Sequence, residues 1–228
     1  MGWKASMIII NSEQKFDKDE FFNSLGFYDL KKGDKQPFES VINPDDDKIY
    51  IGNYNGNTII CLQHLTFEAI DPSLSRAEVI LSNTFQDTDI VTFILHSVVN
   101  LWGYSIVNNG KKVRVRAGDS EELIIERGEI LEEEKELFSK SKLNDKGERV
   151  YIFDDMPDDE FSADQVGENF VFDISTKYLG QSLDACDELF ETEFEGYTFS
   201  KSKPEKEIES NNISIQNQKT KNPWWKIW

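Results

Sequence analysis

The chain reads as an α+β fold: a mainly antiparallel sheet built on hairpins and a meander, with three to four helices packed against it. Three observations carry this reading. Asn55-Gly56 and Asn109-Gly110 each separate two β-rich apolar runs. Asn-Gly is the strongest short-range hairpin signal, because a type I′ turn needs positive φ at both central residues. The stretch 89–126, DIVTFILHSVVNLWGYSIVNNGKKVRVRAGDSEELIIE, concentrates β-branched and aromatic residues and forms the hydrophobic centre of the chain. Helical patterns stand apart from these hairpins instead of alternating with every strand, which argues against a parallel, doubly wound sheet.

Taken in order, Ala5 to Ile10 is the first strand. Asp17 and Glu20 form a capping-box-like pair, Phe16 and Phe21 occupy staple positions, and Gly26 is a stop, so a short helix lies between them. Lys31 to Gln36 reads as a polar loop, Phe38 to Ile42 as a strand, and Asn43 to Asp47 as a turn. Lys48 to Tyr54 and Thr58 to Leu62 make the first hairpin, with Ile49, Ile51, Ile59 and Cys61 able to share one face. Leu65 to Ile70 extends the apolar run. Asp71 then caps a helix with Pro72 at its first position, and Leu74, Ala77, Leu81 and Phe85 line one side.

The central stretch reads as a three-stranded antiparallel meander. Val91, Phe93 and Leu95 belong to a strand buried on both faces. On the return strand Val113, Val115 and Ala117 are dry, while Lys112, Arg114 and Arg116, with Lys111, make a solvated basic stripe. Gly103 marks a bulge, or alternatively a close backbone approach. Glu129 to Lys142 reads as an exposed charged helix with Glu132 and Lys135 as neighbours, broken by Asp145-Lys146-Gly147. Val150 to Phe153 reads as an edge strand and Asp154 to Asp164 as an acidic loop. Phe170 to Ile174 is apolar, and Tyr178, Leu179, Leu183, Cys186, Leu189 and Phe190 form one amphipathic helix face.

The formal charge is -18 over 228 residues. Because the stretch from Lys201 onward holds six Lys against three Glu, residues 1–200 carry -21. Such a body is repelled by nucleic-acid phosphates and anionic lipid, so neither nucleic acid nor a membrane is an expected partner of it. Cys61 and Cys186 sit among apolar residues and read as buried thiols, which fits a cytoplasmic protein. No phosphate-binding loop, GxGxxG, GxSxG, HExxH or CxxC occurs, and His64 and His96 are the two histidines. No metal site and no cofactor is expected.

Several stretches together resemble a bacterial family designated domain of unknown function 6928. MGWKAS leads straight into a strand, LHSVVNLWGYSIVNNGKKVR precedes an acidic segment near IIERGEILEEEKELF, and a late helix is followed by GYTF. The resemblance spans about residues 1–199, with Leu95 to Arg114 as its best block. The turn here is Asn-Asn-Gly, where the family favours an acidic-Gly turn. Membership implies a soluble bacterial protein and no activity.

Three features are candidates for function. His96-Ser97 suggests a general base beside a hydroxyl, with Trp102 and Tyr104 as ligand-binding neighbours, although adjacent strand residues point to opposite faces. The carboxylates Asp45, Asp46 and Asp47, and Asp154, Asp155, Asp158, Asp159 and Glu160, read as solvated loops that attract a basic partner. The last feature is the end of the chain. Residues 1–199 are expected to form one acidic domain, 200–221 a polar flexible linker, and 222–228 a docking motif with Trp224, Trp225, Lys226, Ile227 and Trp228. Each aromatic can bury about 150–250 Å², so exposed tryptophans call for a surface to cover them. The leading expectation is a non-enzymatic interaction protein with a protein partner. The alternative is an enzyme or small-ligand binder with a pocket near His96, Trp102 and Tyr104. Membrane contact enters only through the tryptophan motif.

Overall fold

The computed structural model describes residues 2–201. Its elements are β1 (Lys4–Ile10), α1 (Lys18–Leu25), β2 (Tyr28–Pro37), α2 (Phe38–Val41), β3 (Lys48–Tyr54), β4 (Asn57–Cys61), α3 (His64–Ala69), α4 (Arg76–Thr84), β5 (Asp89–His96), β6 (Leu101–Asn108), β7 (Lys111–Gly118), β8 (Ile125–Gly128), α5 (Lys135–Ser139), β9 (Ser141–Leu143), β10 (Arg149–Phe153), β11 (Met156–Phe161), α6 (Ala163–Leu179), α7 (Asp187–Glu191) and β12 (Glu193–Ser200). Three-residue 3-10 turns lie at Ser97–Val99, Glu132–Glu134 and Leu183–Ala185. Nine strands form one antiparallel sheet in the order β2-β12-β3-β4-β1-β5-β6-β7-β8, and β11-β10-β9 form a second, three-stranded one. The fold is α+β, and among the described residues α1, α4 and α6 are the helices of eight residues or more.

Both Asn-Gly turns close hairpins as the sequence predicts. Asn55 and Gly56 have φ of 47° and 76°, and Asn109 and Gly110 have 47° and 69°, the left-handed pair that a type I′ turn demands. The β3–β4 register pairs Ile51 with Ile60 and Tyr50 with Cys61. A two-residue turn makes odd positions face even ones, so Ile49 and Ile51 sit on the opposite side of the sheet from Ile59 and Cys61 and the four do not share a face.

The sheet is covered on both sides. On one side α6, α2, α5 and α7 bury Phe170, Ile174, Phe38, Leu137 and Leu189 against Met7, Phe93, Trp102 and Tyr104. On the other, α1, α3 and α4 bury Phe21, Phe22, Leu65 and Leu81 against Ile8, Ile49 and Ile90. Helix α1 has the predicted ends: Asp17 accepts from Glu20 N at 2.9 Å, and Gly26 turns left-handed at φ 94°. The Phe16 and Phe21 rings meet at 4.7 Å.

Several expectations change. Lys31 to Gln36 is not a loop but part of β2, an edge strand whose polar side chains leave no period to read. It is ordered by pairing with β12, and its lysines suit an exposed edge. Phe38 to Val41 is a helical turn, since its two buried residues sit three apart. Helix α4 starts at Arg76, not after Asp71. Ser75 accepts from Glu78 N while Glu78 accepts from Ser75 N, a capping box that outcompetes the Asp-Pro start. Asp71 instead accepts from Ser73 N at 2.9 Å.

The meander has four strands instead of three, because the 3-10 turn splits its first long run into β5 and β6; the last predicted run, Leu123 to Ile125, leads into β8. Gly103 is in regular register with Ile94 and Ala117. A side chain there would lie 2.8 Å from the Ala117 Cβ, so the residue is a close approach and the bulge falls at Val113, between the Ile106 and Val107 pairings. Val150 to Phe153 is the middle strand of the small sheet, and the acidic stretch supplies its edge, β11. Gly180, at φ 81°, ends α6 and separates Tyr178 and Leu179 from Leu183 to Phe190, so that apolar face is not one helix.

The basic stripe is the largest correction. Arg114 and Arg116 are 1% and 0% exposed. Arg114 donates to Glu134 through Nε at 2.9 Å and Nη2 at 2.6 Å, and to Glu126 at 3.1 Å. Arg116 donates to Tyr151 Oη at 2.9 Å, and its guanidinium lies 4.0 Å from the Phe170 ring centroid. Glu134, in the segment read as an exposed helix, is 0% exposed and caps its own turn by accepting from Leu131 N at 2.8 Å. The bulge at Val113 turns Lys112 to the other side of the sheet, where it meets buried Glu78 at 3.0 Å.

Candidate functional site

Alternation along β5 puts Ile90, Ile94 and His96 on one face and Val91, Phe93 and Leu95 on the other. The register pairs Leu95 with Trp102 and Phe93 with Tyr104. Trp102 and Tyr104 therefore point away from His96, into the core under α6, where both are 0% exposed. The structure does not assemble these three residues into one pocket. Ser97 is also turned elsewhere. Its Oγ accepts from Trp3 N at 2.5 Å and contacts the Glu168 carboxylate on α6, so it ties the start of β1 to the α6 layer.

His96 instead opens onto a cleft of about 1010 Å³ at one end of the large sheet. The start of β1 brings Lys4 and Ser6, the loop before β3 brings Asn43 and Asp46, and α3 brings His64 and Phe67. Ile94 and His96 close β5, Val98 and Val99 form the 3-10 turn, and Leu101 opens β6. The β7–β8 loop supplies Asp119, Ser120, Glu121, Glu122 and Ile124. Both histidines of the chain thus line one cleft, although 31 residues separate them. Antiparallel neighbours run in opposite directions, so strand ends and starts meet at one edge of a sheet, and this edge collects them.

The cleft has an apolar floor and a charged rim. Ile94 and Leu101 are buried with Ile70 and Ala117 in a small cluster that Phe67 and Ile124 pack against. Gly103 lets this cluster close, because the Ile70 and Ile94 methyls sit 3.2 Å from where its side chain would be. Val98 and Val99 are 77% and 40% exposed, an unusual state for two adjacent apolar side chains beside an apolar floor. Asp119 shapes the rim loop by accepting from the Glu121 and Glu122 amides at 2.8 and 3.1 Å. A smaller hollow of about 330 Å³, lined by Ile70, Pro72 and Ile125 among others, shares Ile124 with the cleft.

Burial and the neighbouring Lys201 ammonium lower the pKa of His64, and burial and Lys4 lower that of His96. Both imidazoles are therefore neutral at pH 7. His64 Nε2 lies 3.8 Å from Asp46 Oδ1 and in contact with Lys201 Nζ. Lys201 is the last described residue, so the described chain ends at the wall of the cleft. With the histidines neutral, four carboxylates (Asp46, Asp119, Glu121 and Glu122) face the single ammonium of Lys4 among the lining residues.

The sequence reading singled out His96 and missed His64, the Asp119–Glu122 rim and the two valines. Nothing local signals them, because each becomes a lining residue only when β1, β5, β6 and β7 lie side by side and α3 packs at their end. The proposed partner-binding residues Trp224, Trp225, Lys226, Ile227 and Trp228 lie outside the described residues. Among the described residues no group of three or more His, Cys, Asp or Glu side chains is placed to hold a metal ion, and no helix is long and apolar enough to cross a membrane. Cys61 and Cys186 are both buried and unpaired.

No curated protein and no solved structure matches the chain. A family model does match, over residues 25–149. That span is more than half of the sequence and holds the whole β5–β8 meander and every cleft-lining residue except Lys4 and Ser6. The chain belongs to this family, DUF6928, a family of unknown function.

Proposed function

We propose that the protein is a non-enzymatic binding module of the bacterial cytoplasm whose two-histidine cleft seats an apolar, positively charged segment of a protein partner. The observation that carries this reading is the pairing of an apolar floor, continued outward by Val98 and Val99, with a rim on which carboxylates outnumber ammonium groups. An apolar floor supplies affinity by burial, at about 25 cal/mol per Å². The acidic rim selects for cations and speeds their encounter. Buried unpaired thiols suit a reducing compartment. The cleft's volume lies at the top of the range for small-molecule sites, about 300–1,000 Å³, which favours a side-chain cluster over one small ligand. A small apolar cation is the competing occupant, and it keeps His96 as a ligand-binding residue without Trp102 or Tyr104.

Two histidines give two imidazole NMR signals, and both report on the cleft. The test titrates the full chain with an octapeptide of alternating leucine and lysine, and separately with phenethylammonium chloride. Saturable movement of both imidazole signals by the peptide, weakened at least fivefold in Val98→Ser/Val99→Ser, supports the reading. Movement by phenethylammonium alone moves it to small-ligand binding. Peptide saturation with both imidazoles unmoved would overturn it.

A further inference from the structure

We infer that residues 222–228 of this same chain are the first occupant of the cleft, with which any partner must compete; this rests on the reading of the cleft as a seat for apolar cations. Three observations converge. The described chain ends at Lys201, whose Nζ touches His64 in the cleft wall. The continuing sequence therefore starts at the site it would fill. Twenty residues, 202–221, polar but for Pro204, Ile208, Ile213 and Ile215, separate that point from Asn222-Pro223-Trp224-Trp225-Lys226-Ile227-Trp228. Random-coil scaling gives twenty residues a reach of roughly 25 Å, long enough for the segment to come back to the same end of the sheet. The segment's chemistry is what the cleft selects. Three tryptophans and Ile227 match the apolar floor and the exposed Val98 and Val99, and Lys226 matches the rim of Glu121 and Glu122.

Tethering makes even a weak contact effective. A linker of this length gives an effective concentration on the order of 1 mM. A segment whose untethered Kd is about 0.1 mM would then fill the cleft about ten to one, and a competing partner would see its affinity reduced about tenfold. The segment acts as a threshold: partners that match it bind, and weaker apolar cations are excluded.

The experiment compares the full wild-type chain with the full chain carrying Trp224→Ala, Trp225→Ala and Trp228→Ala. The probes are again the two imidazole signals and the leucine–lysine octapeptide. With the segment in the cleft, the triple substitution alone moves both imidazole signals. It also tightens octapeptide binding about tenfold, and neither difference depends on protein concentration between about 20 and 500 μM. Carbodiimide, a zero-length coupler, joins Lys226 to Glu121 or Glu122 within one wild-type chain, and loses that product in Val98→Ser/Val99→Ser. If the octapeptide moves the imidazoles equally in both chains and the substitutions move nothing, the cis occupant is refuted while the cleft reading stands. If the octapeptide binds neither chain and the substitutions are silent, the cleft reading itself fails. If the imidazole difference or the cross-link grows with concentration, the occupant comes from a second copy and the occupancy in cis is wrong.

Discussion

Replacing Glu134 by Ala should destabilise the protein by about 3–5 kcal/mol, the usual penalty for stranding one half of a buried ion pair. The magnitude follows from what the carboxylate holds. Glu134 accepts from Arg114 Nε and Nη2 at 2.9 and 2.6 Å, from Leu131 N at 2.8 Å and from the Tyr104 hydroxyl. Burial and the neighbouring carboxylate push the Tyr104 phenol well above its ordinary range, so it stays a neutral donor at all moderate pH. In Glu134→Ala the Arg114 guanidinium keeps Glu126 and the Gly128 carbonyl but loses its fully buried partner, and Tyr104 becomes an orphan donor. A chain of this size loses about 2–4 °C of Tm per kcal/mol, so the expected drop is about 10 °C.

The control is Tyr104→Phe/Arg114→Met/Glu134→Leu, which removes donors and acceptor together. Well-packed apolar replacements of buried ion pairs are often near neutral, so this triple variant should be more stable than Glu134→Ala despite carrying more changes. Urea unfolding at pH 7, followed by circular dichroism with the slope compared between variants, reads both. A loss below about 1 kcal/mol for Glu134→Ala, or a triple variant no better than the single one, would refute the claim that charge satisfaction governs this cluster.

Two further outcomes follow from the α6 layer. Burial and Glu136 raise the Asp173 carboxyl to about 6 from an ordinary 3.8. The native state therefore holds a proton that the unfolded chain has released, and stability falls as pH rises from about 4 to about 6. Asp173→Asn should flatten that dependence and stabilise the protein at pH 7, by about 1 kcal/mol after allowing for solvent screening; unchanged melting at pH 7 would contradict it. Gly167 places its backbone against the Trp102 indole, where an added Cβ would lie 2.1 Å from Nε1. Gly167→Ala should cost at least about 2 kcal/mol by overpacking, with a shift in tryptophan emission, and Trp102→Phe in the same chain should recover part of that loss.

The hairpins, the first helix and the meander were legible because their signals are local: a turn that needs positive φ at Asn109 and Gly110, or a cap at Asp17, is specified within four residues. Strand β2 was not, because its polar side chains carry no period and its order comes from β12, more than 150 residues away. The reading of Arg114 and Arg116 as wet followed alternation correctly, since both do share a face opposite Val115. It failed because alternation says which residues share a face, not which face is covered. Only the return of Glu126, Glu134 and Tyr151 over that face decides that the arginines are buried. The candidate site failed for the same reason in reverse. His96 was visible as a histidine inside an apolar run, but its partner in the cleft, His64, sits on α3, and no local pattern joins them.

Among the described residues, two of the places that break the rule of charged outside and apolar inside are resolved differently. At β7 the buried arginines meet Glu134, Glu126 and Tyr151, and Tyr104 donates to the same Glu134, so the charges are paired from within, with Arg116 Nη1 left without a hydrogen-bond partner. At the cleft, Val98 stands 77% exposed on a 3-10 turn, next to an apolar floor. Replacing Val98 by a polar residue there would sacrifice little packing among the described elements. A local preference violated without internal compensation marks a place shaped for something other than folding. A negative rim disfavours the anionic partners that the net charge also disfavours, and this is why we propose cations with an apolar body as the occupants of the cleft.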